Sequence, residues 1–115
     1  MEKPVYWFAS AKKDLLAMPE DVQDVFGYAL HQVQNGVTPE NAKPFKIDGE
    51  SGVFEIVEDY NTDTYRAIYV IKLAEAVYVI DCFQKKSKHG KATPKQDVER
   101  IRERLKRLKC LLQVS

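Results

Sequence analysis

The sequence has few of the residues that cross-link a chain or hold a metal ion. Its 115 residues include two cysteines and two histidines, and Cys82 and Cys110 lie too far apart for the paired spacing of a zinc site. Two cysteines also do not make the disulfide framework of a small secreted domain. We therefore expect no metal, no other cofactor and a reducing compartment, the cytoplasm.

Long apolar runs are also missing. No stretch approaches the ~20 continuous apolar residues of a membrane span, and the first residues, MEKPVYWFAS, lack the apolar core of a signal peptide. Hydrophobic residues nevertheless make up 44% of the chain, which is too many for a disordered protein. The length then predicts one soluble domain, residues 1–115, with a single compact core.

The formal net charge of +1 conceals an asymmetry along the chain. Residues 1–60 contain 5 lysines against 11 acidic residues, whereas residues 61–115 contain 13 basic and 6 acidic residues. Residues 84–109 alone contain 11 basic and 3 acidic residues. Such a segment either attracts a polyanion, as nucleic-acid-binding proteins do, or forms a solvated basic face.

The hydrophobic pattern predicts a strand at PVYWF, a short helix capped by Ser10, and a second helix that starts at Glu20 and stops at Asn35-Gly36. Three strands follow, at residues 52–58, 64–73 and 76–83. The last two are apolar on both faces, as central strands are. Residues 43–47 are a candidate for an additional strand outside this set, and Pro44 restricts such a strand to an edge.

The last helix has the clearest sequence signals. Residues 93–96, Thr-Pro-Lys-Gln, resemble a capping box with proline at the first helical position. A narrow apolar stripe follows, formed by Val98, Ile101, Leu105, Leu108 and Leu112. The predicted fold is α+β, in the order β-α-α-β-β-β-α, with an N-terminal helical hairpin, a mostly antiparallel sheet and a C-terminal helix.

Most enzyme motifs are absent: the sequence has no phosphate-binding glycine loop and no nucleophile elbow. The remaining candidate site residues are basic. Arg66 lies within an apolar strand, where an unpaired charge is costly, so it either pairs with an acid such as Glu55 or faces a cleft that receives an anion. The next strand leads into QKKSKHGK, which is either a simple basic binding loop or part of a site for metal-free RNA cleavage. Such cleavage needs a base, cations on the phosphate and an acid, and clustered lysines lower one another's pKa.

Three segments together resemble a known family: KPFKIDGESGVFEI, YRAIY around Arg66, and FQKKSKHGKATPKQDVE leading into the last helix. In order and spacing they are similar to phage-related HigB-type toxins of the RelE/ParE superfamily. The resemblance, with the two preceding helices, covers nearly the whole chain.

This resemblance implies the toxin of a type II toxin–antitoxin pair, which cleaves mRNA on the ribosome, inhibits translation and is neutralised by a helix-turn-helix antitoxin. By position it implies that Arg66 stabilises phosphate charge, that Lys85 and Lys86 form the basic pair after the last strand, and that Glu55 is a candidate general base. RNA or rRNA binding is expected of a wider set: Lys43, Lys46, Lys88, His89, Lys91, Lys95 and the basic faces of the last helix.

The chain departs from the family at Val57, two residues after Glu55, where related toxins usually have arginine. We therefore expect a weakened enzyme, unless Val57 simply packs and Lys85 or Lys86 supplies the charge. The alternative is a non-catalytic binding protein of the same fold, either a ParE-like gyrase inhibitor or an inactivated relative. A DNA-binding regulator has only the basic last helix in its favour.

Overall fold

A five-stranded sheet forms the centre of the protein. The computed structural model describes residues 2–71, 75–85 and 93–112. In chain order the elements are β1 (Val5–Trp7), α1 (Ala11–Leu16), α2 (Glu20–Gln34), β2 (Ala42–Pro44), β3 (Val53–Tyr60), β4 (Asp63–Val70), β5 (Val77–Lys85) and α3 (Lys95–Leu111). The strand order across the sheet is β1-β5-β4-β3-β2. β1 runs parallel to β5 and the other neighbours are antiparallel, so the predicted α+β fold with a mostly antiparallel sheet is confirmed.

Each face of the sheet has its own hydrophobic core. α1 and α2 cover one face, where Phe26 packs with Ile56 and Tyr69. α3 covers the other face, where Ile101 packs with Ile68. Because successive residues of a strand point to opposite faces, β4 and β5 supply both cores, which explains why both strands carry apolar residues on both faces.

The predicted edge strand exists but is shorter and earlier than expected. β2 occupies Ala42–Pro44 at the end of the sheet, whereas the sequence suggested residues 43–47. One further hydrogen bond to β3 follows, from the N–H of Phe45 to the carbonyl of Val53 at 2.8 Å, and the side chains of Phe45 and Ile47 lie in the core under α3. The observed order of elements, β-α-α-β-β-β-β-α, therefore has one strand more than the predicted β-α-α-β-β-β-α.

Ser10 occupies the N-cap position of α1 as predicted, but neither predicted cap makes a side-chain capping hydrogen bond. The Ser10 hydroxyl donates a hydrogen bond to the Asp14 carboxylate at 2.7 Å rather than accepting one from a backbone N–H. Pro94 precedes α3 instead of starting it, because its ψ of 146° is not helical. Its carbonyl accepts hydrogen bonds from the N–H groups of Asp97 and Val98, so the residue 93–96 segment makes no side-chain capping hydrogen bond.

The Asp81 carboxylate, on β5, fixes α3 to the sheet. It is 1% exposed and accepts a hydrogen bond from Arg100 Nε at 2.8 Å, while Arg104 Nη1 lies 3.2 Å from its other oxygen. Arg104 Nη1 also donates to the carbonyl of Ile80 at 3.0 Å, and Arg100 pairs with Asp97 at 2.9 Å. A charge buried on an apolar strand is thus compensated by two charges of the helix above it.

Two further ion pairs tie α3 to the loop between β2 and β3. Arg102 pairs with Asp48 at 2.7 Å, and Lys109 pairs with Glu50 at 2.8 Å. The last helix was expected to present its basic faces to rRNA or solvent, and four of its side chains, Arg100, Arg102, Arg104 and Lys109, are instead found in ion pairs within the chain. Carboxylates of the same chain already hold these charges.

We predict that Asp81→Ala destabilises the protein far more than Asp48→Ala. Removing Asp81 leaves two arginines without their buried partner, a change that costs roughly 3–5 kcal/mol. The pair of Asp48 with Arg102 is about half exposed on both sides, so its loss costs under about 1 kcal/mol. Urea unfolding of both variants measures the difference, and equal losses would contradict the anchoring role of Asp81.

Candidate functional site

The hairpin of β3 and β4 sets the geometry of the site. Asn61 and Thr62 form its two-residue turn, with φ of 49° and 69°, a left-handed conformation that two-residue hairpins require. The resulting register places Val57 directly opposite Arg66. Glu55, two residues before Val57, then lies diagonally from Arg66 on the same face, within reach of a long side chain.

Arg66 and Glu55 form a buried ion pair. Nη1 of Arg66 donates to Oε1 of Glu55, and both side chains are more than nine-tenths buried. Of the two alternatives that the sequence left open, pairing with Glu55 is the arrangement observed. Nε of Arg66 is buried and has no hydrogen-bond partner among the described residues.

Two lysines flank this pair, and the four residues Lys43, Glu55, Arg66 and Lys85 are called the Arg66 cluster below. Lys43 of β2 lies opposite Glu55 in the ladder, so both point to the same face of the sheet. Lys85 is two residues after Phe83, the residue opposite Arg66 on β5. Lys43 is exposed, which marks the place where the cluster reaches the surface.

Lys85 belongs to the sheet rather than to a loop. The sequence ended this strand at Phe83, but β5 continues to Lys85 and buries its side chain to 8% exposure. Burial lowers the pKa of Lys85, and the charge of Arg66 lowers it further. Glu55 opposes this effect, while Lys43 adds to it, so the pKa of Lys85 depends on all three neighbours.

Two other predicted site residues are described by the structure and lie outside the Arg66 cluster. Lys46, just beyond β2, and Lys95, the first residue of α3, both have exposed side chains. Val57 is partly buried, facing Arg66 without a charge. Four of the predicted residues lie outside the described part of the chain: Lys86, Lys88, His89 and Lys91.

Sequence reasoning missed the role of Asp81. Its signal was the same as that of Arg66, namely one charge within an apolar strand. The two residues share the α3 side of the sheet, and Arg100, the partner of Asp81, has its guanidinium 5.4 Å from the ring of Phe83. Since Phe83 lies opposite Arg66, the anchoring network of α3 adjoins the Arg66 cluster.

The Arg66 cluster combines three cations with one carboxylate, a set that can bind a phosphate and also accept and donate protons. Within residues 2–71, 75–85 and 93–112, no three His, Cys, Asp or Glu side chains are grouped so that they could hold a metal ion. None of the described helices is both long and apolar enough to cross a bilayer.

We predict that the pKa of Lys85 moves in opposite directions in two variants. Glu55→Gln removes a negative charge that favours the ammonium, so the pKa of Lys85 falls further. Lys43→Gln removes a positive charge, so the pKa rises. An NMR titration of the lysine Cε and Hε signals measures both shifts, with Lys12→Gln on α1 as the control that leaves Lys85 unchanged. Shifts of the same sign would show that the cluster is not electrostatically coupled.

The family model described as "Phage derived protein Gp49-like" matches residues 13–106. Among solved structures, a chain of the toxin–antitoxin complex RelBE2 from Mycobacterium tuberculosis is similar, with a TM-score of 0.51 and 19% sequence identity over 71% of this chain and 96% of that chain. At this identity the likeness shows the fold alone. No curated protein matches the chain. Because the family model spans most of its length, the chain belongs to the family of phage-derived Gp49-like proteins.

Proposed function

We propose that this protein is the toxin of a type II toxin–antitoxin pair and acts as a ribosome-dependent, metal-independent mRNA endoribonuclease of the HigB type. The observation that carries the proposal is the Arg66 cluster, which supplies cations, a carboxylate and a lysine of lowered pKa on one face. The family and a fold similar to that of a chain in a toxin–antitoxin complex support it. The site of action is the cytoplasm, where ribosomes translate mRNA.

The reaction needs three tasks, and the cluster offers a group for each. Glu55 accepts the proton of the 2′-hydroxyl, whose oxygen attacks the adjacent phosphorus. Arg66 and Lys43 stabilise the charge that develops on the phosphorane oxygens. As the bond to the 5′-oxygen breaks, Lys85 donates a proton to the leaving oxygen. The products are a 2′,3′-cyclic phosphate and a 5′-hydroxyl, and no bond change requires a metal ion.

The lowered pKa of Lys85 suits the role of acid. A lysine of ordinary pKa holds its proton tightly at neutral pH and donates it poorly. Lowering the pKa toward the working pH keeps most of the lysine protonated while it makes donation easier. Proton transfer by Lys85 then weakens as the pH rises through its pKa, because the ammonium form is lost.

RNA binding extends beyond the cluster. Lys46 and Lys95 have exposed side chains and are available to phosphates. The resemblance to HigB-type toxins also assigns RNA binding to Lys86, Lys88, His89 and Lys91, which lie outside the described residues. α3 contributes less than its composition suggests, because carboxylates of this chain pair with four of its basic residues. Each phosphate contact contributes about one unit or less to the salt dependence of ribosome binding.

A second candidate is a non-catalytic binding protein of this fold, such as a ParE-like gyrase inhibitor. The observation in its favour is that Glu55 already neutralises Arg66 while Val57 adds no charge opposite it. Primer extension on mRNA with and without ribosomes separates the two functions, since a binding protein produces no cleaved 3′ ends.

We predict that Arg66→Ala lowers mRNA cleavage at least 100-fold, because loss of one transition-state cation typically costs ~10²-fold or more. Primer extension with purified ribosomes measures the loss. Arg102→Ala, which removes an exposed arginine paired with Asp48, is the matched control and cleaves normally. Because Arg66→Ala leaves Glu55 buried without its partner, Arg66→Lys is tested beside it, and circular dichroism checks the fold of each. Full cleavage by a folded Arg66→Ala variant would contradict the assignment.

We also predict that Val57→Arg increases cleavage and toxicity in the absence of an antitoxin. The variant restores a cation directly opposite Arg66, and one such electrostatic contact is worth on the order of 2–4 kcal/mol at most. Two like charges across the strands destabilise the free protein, so a lower melting temperature accompanies the faster reaction. Val57→Leu is the control that adds volume without charge. A folded Val57→Arg variant that cleaves no faster than the parent identifies Val57 as a packing residue.

A further inference from the structure

The outer face of α2 exposes an aromatic side chain among acidic ones. Tyr28 is 67% exposed, and Asp24 lies one helical turn before it, with Asp21 a further turn back. Asp21 also contacts the hydroxyl of Tyr60 at the end of β3 and raises the pKa of that group. The Arg66 cluster makes no use of this surface.

A groove of about 600 Å³ runs beside this face of α2 and is called the acidic groove below. α2 forms one wall with Asp24, Tyr28 and Gln32, and Glu40 and Asn41 form the opposite wall just before β2. Val25 and Ala29 give the groove an apolar floor. A groove with an apolar floor, an exposed tyrosine and acidic walls has the chemistry of a site for a cationic amphipathic helix.

The acidic groove and the Arg66 cluster lie on opposite sides of the sheet next to the edge strand β2. The carbonyl of Asn41, in its wall, accepts a hydrogen bond from the N–H of Val57 at 2.9 Å, and Lys43 of the cluster follows two residues later. The groove opens on the α2 side of the sheet and the cluster on the α3 side, with the edge strand β2 between them. A partner that fills the groove and continues around β2 therefore covers Lys43.

The charge of the groove selects its occupant. Asp24 and Glu40, which line the groove, and Asp21, one turn back on α2, repel the phosphates of RNA. The same charges attract lysine and arginine side chains, which steers association and fixes the orientation of the partner.

We propose that the acidic groove binds a lysine- and arginine-rich amphipathic helix of the antitoxin, and that the segment next to this helix passes around β2 and blocks RNA access at Lys43. The identity of the partner rests on the proposed function, whereas the chemistry of the groove rests on the residues named above. Tyr28 provides the apolar anchor, and Asp24 and Glu40 provide the charge. Inhibition follows because the groove and Lys43 both adjoin β2, so a partner in the groove can also cover Lys43.

The test measures the affinity of this chain for the protein encoded by the neighbouring gene, using purified proteins and calorimetry. Asp24→Lys and Tyr28→Ala each weaken binding at least tenfold, since an aromatic anchor or an interfacial charge typically contributes this much. The matched controls are Glu103→Lys, an exposed acid on α3, and Tyr6→Ala, an exposed tyrosine on β1; both leave the affinity within about twofold. The free Asp24→Lys and Tyr28→Ala variants cleave mRNA as the parent does, but the antitoxin no longer silences them.

Unchanged affinity of the Asp24→Lys, Tyr28→Ala double variant would overturn the proposal, as would a neighbouring protein that does not bind the parent. Binding of a 12-nucleotide RNA that depends on Tyr28, or a dimer of this chain that dissociates in Tyr28→Ala, would also overturn it. The binding measurement needs no cleavage activity. A parent chain that binds through the groove yet cleaves no mRNA therefore refutes the nuclease and leaves the groove assignment intact.

Discussion

The buried carboxylate of Asp81 is the interaction on which the rest of this structure depends. Burial raises its pKa, and Arg100 and Arg104 oppose that effect because they stabilise the ionised form. Water cannot solvate this carboxylate, so α3 must lie where its arginines reach it. That position in turn closes the core around Ile101 on the same face. It also brings the beginning of α3 back to the sheet close to the end of β5, where Lys85 lies.

Arg66 is the second charge on an apolar strand, and its compensation differs from that of Asp81. Asp81 is held by the helix above it, which gives the pair a structural role. Arg66 is paired with Glu55 of the neighbouring strand, beside an exposed lysine and a lysine of lowered pKa. In this arrangement the Glu55 carboxylate already pairs with the guanidinium of Arg66. A phosphate must therefore either share the guanidinium with Glu55 or displace the carboxylate. The ion pair between Arg66 and Glu55 thus stabilises the fold and holds the groups of the Arg66 cluster close together before an anion binds.

The two sides of the sheet present different groups next to β2. On one side α2 presents Asp21, Asp24 and Tyr28, and on the other side lie Arg66, Lys85 and the arginines of α3. The acidic half of the sequence is not confined to one side, since Asp48, Glu50 and Glu55 pair with basic residues on the α3 side. The edge strand β2 is where the two sides meet, since Asn41 lines the acidic groove and Lys43 belongs to the cluster. A partner that binds on the α2 side of the sheet can consequently extend around β2 to the α3 side.

Local sequence patterns are enough to predict α2 with its buried face, the apolar stripe of α3, the central strands β4 and β5, and an edge strand at Pro44. Periodicity and the missing N–H of proline act within a few residues, so one chain segment is enough to read them. Tertiary structure alone decided the absence of side-chain capping hydrogen bonds at Ser10 and at the start of α3, the extension of β5 that buries Lys85, and the choice of Glu55 as the partner of Arg66. Tertiary structure also decided that Asp48 and Asp81 form ion pairs with arginines of α3, which the composition had suggested as contacts for nucleic acid. These outcomes depend on strand register and on side chains far apart in the chain, and a buried charge selects its partner by distance in space rather than in sequence.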